Sequence, residues 1–391
     1  MKYPFSERMF AAPESFLERL FSVSNNPEII SFAGGLPDSS LLDVEGIKEA
    51  SAYVMEEEGK EALQYTTTTG YLPLREYIAD RYNKRFGLSA SADEIRIVNG
   101  SQQCLDLTAK IFLDKGDSVG IENPGYLGAI EAFSMYQPIF KGVNMDENGV
   151  LPDEFRALFK NEKPKFFYGI PNFQNPSGRK YSDERRREIA GIIRETDGIF
   201  YEDDAFGELS FDNRPLMPIK KYAYENTIMS GSFSKIIAPG MRIGWIYAPK
   251  DVIKRFDAAK QAADLHSNFL CQKILHRYLK TVSLDSRIKK ITVVYSRKCR
   301  LMCDLCDELL PKSIVRTDPK GGMFMMLTLP KGISSLKLFE EGLKRKVAVL
   351  PGIPFYANGG GEDTIRLNFS SPAEEEIVLG MERLKDTINS F

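Results

Sequence analysis

From about residue 95 to residue 248, short apolar runs alternate with longer segments whose apolar positions recur at helical spacing. IRIV (95–98), SVGIE (118–122), KFFYGI (165–170), GIFYED (198–203), TIMSGS (227–232) and RIGWIYA (242–248) read as strands. Between two of them Ser182 can cap a helix on which Ile189, Ile192 and Ile193 share a face, and Asp197-Gly198 turns the chain into the next strand. Strand alternating with helix predicts an α/β fold with a mainly parallel sheet covered on both faces. Ligands of such sheets gather beyond the carboxyl ends of the strands, so the residues just after each run matter most.

After about residue 285 the pattern changes. SRKCRLMCDLCDEL reads as a long helix, and GGMFMMLTLP, VAVLPG and TIRLNFS read as strands of a smaller α+β unit. We expect a large domain over 51–285, a small C-terminal domain over 286–391, and a segment 1–50 that joins the small domain. The length of 391 residues exceeds one ordinary core, which fits two domains. A net charge of −2 gives no global field to draw the chain to nucleic acid or an acidic membrane. No run approaches the roughly 20 apolar residues of a membrane span. MKYPFSERMF holds no apolar core of signal-peptide length, and five cysteines are an odd number that suits a reducing cytoplasm. Cys299, Cys303 and Cys306, at i, i+4 and i+7, read as a helix turning thiols inward rather than as a metal site, since His266 and His276 lie far off in sequence.

Candidate chemistry sits at the strand ends. In SGSFSKIIAPGMRIGW (230–245), Lys235 stands among serines with Arg242 seven positions on. A nearby cation or desolvation would lower its pKa and free the amine for Schiff-base chemistry; a solvated surface lysine is the plainer alternative. Gly100-Ser101 opens a helix carrying Leu105, Ala109 and Phe112 on one face, and its first N–H groups make an anion site. Ser232, Ser234 and Arg242 add donors suited to a phosphate. Asp203 and Asp204 close a buried run, so one carboxylate needs a partner. Asn175 precedes Pro-Ser-Gly, where it reads either as a turn residue or as a fixed amide. Tyr126 either packs in the core or stacks on a planar ligand. Arg366, within an apolar strand, wants an anion, whether a structural or a substrate carboxylate. One cofactor would use all these parts: pyridoxal phosphate needs a lysine, a phosphate cradle and an acid near its ring nitrogen.

The sequence resembles the class I and II aminotransferases of fold type I, which use pyridoxal phosphate. It is most similar to the branch of 2-aminoadipate, kynurenine and related broad-range aminotransferases. The resemblance runs through ISFAGGLPDSSLLD, LQYTTTTGYLPLREYIA, NGSQQCLDL, ENPGYLGAIEAF, PNFQNPSG, YEDDAFGEL, GSFSKIIAPGMRIGW, GGMFMMLTLP, PGIPFY and TIRLNFS. It implies a seven-stranded, mainly parallel sheet and a ping-pong exchange between an α-amino acid and a 2-oxo acid. By the same resemblance, Lys235 carries the cofactor and then moves a proton between the substrate Cα and the cofactor's C4′. Asp203 keeps the pyridine nitrogen protonated, Asn175 donates to the ring's 3-oxygen, and Tyr126 stacks on the ring. Ser101, Gln102, Ser232, Ser234 and Arg242 hold the phosphate. Tyr65 reaches the phosphate of a neighbouring subunit, which implies a homodimer. Arg366 grips the substrate carboxylate, and Gly35 lets the backbone close over it.

Two positions depart from the family pattern. Phe206 stands where the family usually has a tyrosine, which removes a phenol from the 3-oxygen. Glu18 stands where relatives often carry an arginine for an acidic side chain, with Arg19 beside it; if Glu18 faces the site, neutral or basic substrates are favoured. Among rival readings, a C–S lyase or decarboxylase would share the scaffold. A regulator carrying a winged DNA-binding module would need more than the roughly 25 residues that precede the matching region.

Overall fold

The computed structural model describes residues 3–11 and 26–391. Its strands, in chain order, are β1 (Ile30–Ser31), β2 (Ile95–Val98), β3 (Ser118–Asn123), β4 (Ile139–Asp146), β5 (Gly149–Val150), β6 (Phe167–Gly169), β7 (Phe200–Asp204) and β8 (Thr227–Ser232). They continue with β9 (Gly244–Tyr247), β10 (Val315–Arg316), β11 (Phe324–Thr328), β12 (Val347–Ala348), β13 (Leu350–Pro351) and β14 (Thr364–Asn368).

The six apolar runs become β2, β3, β6, β7, β8 and β9 of one sheet, ordered β2-β9-β8-β7-β6-β3-β4-β5. β8, β7, β6, β3 and β4 are parallel neighbours. β9 runs antiparallel to both β8 and β2. The fold is α/β, with a large, mostly parallel sheet. Seven longer strands match the expected number, and β5 adds a two-residue eighth, folded back on β4 by a turn at Glu147-Asn148. β4 escaped the hydrophobic pattern for a physical reason. Most of its residues stay exposed or half-buried, so it lacks the continuous apolar run of strands covered on both faces.

Helices cover the sheet as their stripes dictate. Ser182 caps Asp183–Thr196 by accepting from the Arg185 N–H, and Ile189, Ile192 and Ile193 bury against Phe155, Phe159 and Phe200. Burial of each such side chain stabilises the fold by about 1.5–3 kcal/mol. Ser101–Phe112 turns Cys104, Leu105, Leu107 and Ala109 into the main core.

A second, antiparallel sheet is ordered β10-β11-β14-β13, and β1 pairs in parallel with β12. Phe32 ties the two together: its N–H donates to Ala348 O, and its carbonyl accepts from Asn368 N at 2.7 Å. The long helix Leu284–Leu309 turns Cys299, Cys303 and Cys306 inward, all as buried thiols.

Beyond Phe32 the chain crosses toward the large sheet, and a buried ion pair fixes its path. Lys298 Nζ donates to Asp38 Oδ2 at 2.6 Å and to Ser370 O at 3.0 Å. Tyr295 Oη accepts from Asp38 N, and Ser370 Oγ donates to Leu36 O. Burial pushes the Asp38 carboxyl up, but Lys298 and Ser40 outweigh it and hold the carboxyl below its ordinary value. Both side chains are nearly enclosed, at 5% and 10% exposure. Lys298→Met therefore strands a buried carboxylate and should cost about 3–5 kcal/mol in urea unfolding at pH 7. A depressed folded pKa makes the pair's contribution complete above the unfolded value and lost as pH falls through the folded one. The gap between variant and wild type should therefore narrow in acid.

Candidate active site

The parallel register brings the ends of β2, β3, β6, β7 and β8 to one edge of the sheet. β9 is antiparallel, so its first residues, just after Arg242, lie at the same edge. There a cavity of about 680 Å³ is lined by Gly35, Ser101, Gln102, Tyr126, Asn175, Asp203, Ser232, Ser234, Lys235, Arg242 and Arg366. Every site residue expected from the sequence lies on it except Tyr65. That side chain is 77% exposed and stands edge-on to His266, with ring centroids 5.8 Å apart. Glu18 and Arg19 lie outside the described residues.

Lys235 Nζ donates to Gly35 O at 2.8 Å and has no carboxylate in ion-pair contact among the described residues. Burial, with Arg366 and Arg242 nearby, holds its pKa down to about 8. Asp203 lies deeper. Tyr168 Oη donates to its Oδ2 at 2.7 Å and Ser230 Oγ to its Oδ1 at 3.2 Å. Burial outweighs these donors and pushes the acid up to about 6. Strand alternation sends Asp204 to the opposite face, where it accepts from Asn172 Nδ2 at 2.6 Å, off the cavity. The choice between the two carboxylates thus follows from the pleat.

The Ser101–Phe112 helix starts without a side-chain cap, which leaves its first N–H groups for a ligand. Gly100, at φ 76°, passes so close to the Arg242 guanidinium that any side chain there would collide with it. Arg242 donates to Asn99 O at 3.2 Å and to Pro239 O at 3.3 Å, which holds it beside that helix start. Gln102 Nε2 gives one of its two hydrogens to Gly128 O at 2.7 Å. Ser232 Oγ accepts from Ser234 N.

At the other end, Arg366 is 3% exposed. Its Nη1 donates to Asn175 Oδ1 at 2.8 Å and its Nη2 to Ala33 O at 2.5 Å. Its Nε is buried without a partner among the described residues. Burial pulls the guanidinium down to about 9. Phe324 lies under it at 4.2 Å, and Phe206 meets Phe324 edge-on at 5.7 Å. Sequence reading missed Tyr168 and Ser230 as partners of Asp203, and Leu36, Leu127, Ile170 and Phe324 as walls.

This donor set fits pyridoxal phosphate. An uncapped helix start with Arg242 suits the phosphate, a lysine with a lowered pKa suits the aldehyde, and a braced acid suits the ring nitrogen. The orphaned Arg366 Nε suits a carboxylate.

Comparison with known proteins points the same way. Residues 27–384 match the family model for aminotransferase class I and II. The chain is 40% identical over 374 residues to 2-aminoadipate transaminase of Thermus thermophilus, covering 95% of this chain and 92% of that one. It is 37% identical over 390 residues to aromatic-amino-acid aminotransferase 1 of Thermococcus litoralis, covering 98% and 94%. Among solved structures, LysN, the α-aminoadipate aminotransferase of Thermus thermophilus complexed with N-(5'-phosphopyridoxyl)-L-leucine, aligns with a TM-score of 0.93. That alignment has 37% identity and covers 99% of this chain and 97% of the other. With the lysine, the acid and the anion nest on one cavity, these matches place the chain in the class I and II aminotransferases, whose reaction is the pyridoxal-phosphate-dependent transfer of an amino group.

Proposed function

We propose that Lys235 and Asp203 carry this transfer, that Arg366 receives the substrate carboxylate, and that Ser101, Ser232, Ser234 and Arg242 receive the cofactor phosphate. The observation that carries the reading is Arg366. It is a buried guanidinium with an unpartnered Nε and no carboxylate in contact among the described residues, on the same cavity as Lys235. A buried cation without a counter-ion is costly, so the site is complementary to an anion that arrives with substrate.

When bound, pyridoxal phosphate supplies an electron sink for the charge left on Cα as its proton departs. Lys235, with a pKa near 8, is partly neutral at working pH and can take that proton and return it. Asp203, braced by Tyr168 and Ser230, keeps a proton on the ring nitrogen. Asn175 turns its oxygen to Arg366, which leaves its Nδ2 to donate. Phe206 offers no hydroxyl beside it.

Tyr65 is assigned to the phosphate of a second copy of this chain. It stands off its own cavity, and Leu63, Leu72 and Leu265 are exposed in the neighbouring segments of the chain. A homodimer that covers this face buries them. The thiols, all unpaired, suit a cytoplasmic setting.

The walls support a reading of the donor class. Leu36, Leu127, Ile170, Phe206 and Phe324 are apolar, and Lys235, Asp203 and the two guanidiniums already have roles. The further charged group among the described lining residues is the carboxylate of Glu131, which disfavours an acidic side chain. The substrate side chain is therefore neutral and apolar or aromatic. In a donor panel with a 2-oxo acid acceptor, leucine and phenylalanine should turn over with higher kcat/KM than glutamate or 2-aminoadipate. A preference for 2-aminoadipate would refute this assignment.

Lys235→Ala should still bind the cofactor, read from its absorbance. Its single-turnover conversion to the aminated form should slow by at least about 10²–10⁴-fold. Near-normal conversion would remove Lys235 from the reaction.

A further inference from the structure

Glu122, at the end of β3, is 1% exposed and lines no part of the cavity. It nonetheless collects three hydrogen bonds from one segment of the chain. Its Oε1 accepts from Ile170 N at 3.0 Å and from Tyr181 Oη at 2.7 Å, and its Oε2 accepts from Gln174 Nε2 at 3.0 Å. Ile170 and Tyr181 bracket the loop that carries Asn175, and Gln174 immediately precedes it.

Gln174 is saturated. Its second amide hydrogen goes to Pro124 O at 2.7 Å, while its Oε1 accepts from Ser177 N at 2.9 Å and from Ser177 Oγ at 2.5 Å. All four hydrogen-bonding sites of the amide are thus used, and its orientation is fixed. Pro124 belongs to the loop that delivers Tyr126, whose other anchor is Gly125 N donating to Phe355 O at 2.7 Å. One buried carboxylate and one buried amide therefore join the loop of Tyr126 to the loop of Asn175.

We propose that Glu122 is a positioning residue: through Gln174 it clamps the Tyr126 and Asn175 loops together and so sets where the Asn175 amide donates. The proposal rests on the assignment of Asn175 and Tyr126 to the cofactor ring given above. Phe206 brings no hydroxyl to the site, so the Asn175 amide acts there without a neighbouring phenol. A displacement of about 1 Å at such a group can cost up to about 10²-fold in rate.

The geometry selects the variant. In Glu122→Gln the remaining oxygen keeps Tyr181 and Ile170, while the new amide meets the Gln174 amide donor to donor. Gln174 cannot turn over without losing Ser177. The readout is the pH titration of the bound cofactor's absorbance in the holoenzyme, with kcat and KM for the amino donor alongside. Glu122→Gln should move the absorbance midpoint upward, in the direction of Asn175→Ala, and lower kcat by about 10-fold or more. In an Asn175→Ala background the same substitution should leave the midpoint where it is, because the clamp acts through that amide. Gln174→Met, which removes the link but leaves Glu122 with Tyr181 and Ile170, gives the same reading on a second variant. An unmoved midpoint in both single variants, or an equal shift with and without Asn175, would overturn the proposal. The reading of Lys235 is judged separately, on the wild-type and Lys235→Ala spectra.

Discussion

The site is organised around a set of positive charges that form no ion pair among the described residues. Lys235, Arg242 and Arg366 line one cavity, and Asp203, the nearby acid, is held by Tyr168 and Ser230 rather than by any of them. Lys235 and Arg366 are taken out of water and set near each other, with the more exposed Arg242 close by, which is unfavourable on both counts. The amine gives way first, because a lysine can lose its proton and a guanidinium in practice does not. The same arrangement accounts for binding and chemistry. Under the proposed assignment, anions on the cofactor and on the substrate would relieve the two guanidiniums, and the amine near both is poised to exchange a proton.

The rest of the fold keeps that arrangement in place. Parallel strands gather five loop ends at one edge, and the single reversed strand β9 brings Arg242 to the same edge from the opposite direction. The chain beyond Phe32 lays the carbonyls of Ala33 and Gly35 across Arg366 and Lys235. The Lys298–Asp38 pair holds that crossing from behind, and the Glu122–Gln174 link does the corresponding work for Tyr126 and Asn175. Each rests on a buried ionisable group with several hydrogen-bond partners, in contrast to Arg366, whose Nε has none among the described residues.

Much of this was legible in the sequence because strand ends combine two signals. An apolar run marks the strand, and the first polar residues after it mark the site. Lys235, Asn175 and Ser101 fell to that rule, Asp203 showed as a charge closing an apolar run, and the family resemblance supplied their expected roles. Tyr168 and Ser230 did not, because they lie inside strands. Ser230 meets Asp203 only through the β7–β8 register, which pairs the two residues directly. Glu122 stood in plain view in ENPGY, but its partners lie 48 to 59 residues away. β4 was hidden by its exposed position beside the two-residue edge strand β5, and the role proposed for Tyr65 needs a second chain.

The central claim is the state of the Lys235 amine, and the direct measurement is its titration in cofactor-free protein. NMR of lysine labelled at Cε, with the Lys235 signal assigned by its loss in Lys235→Ala, follows that amine alone. The account predicts a midpoint near 8 that rises when Arg366→Met removes one neighbouring cation. A midpoint at the ordinary lysine value of about 10.4, unmoved by that substitution, would contradict it.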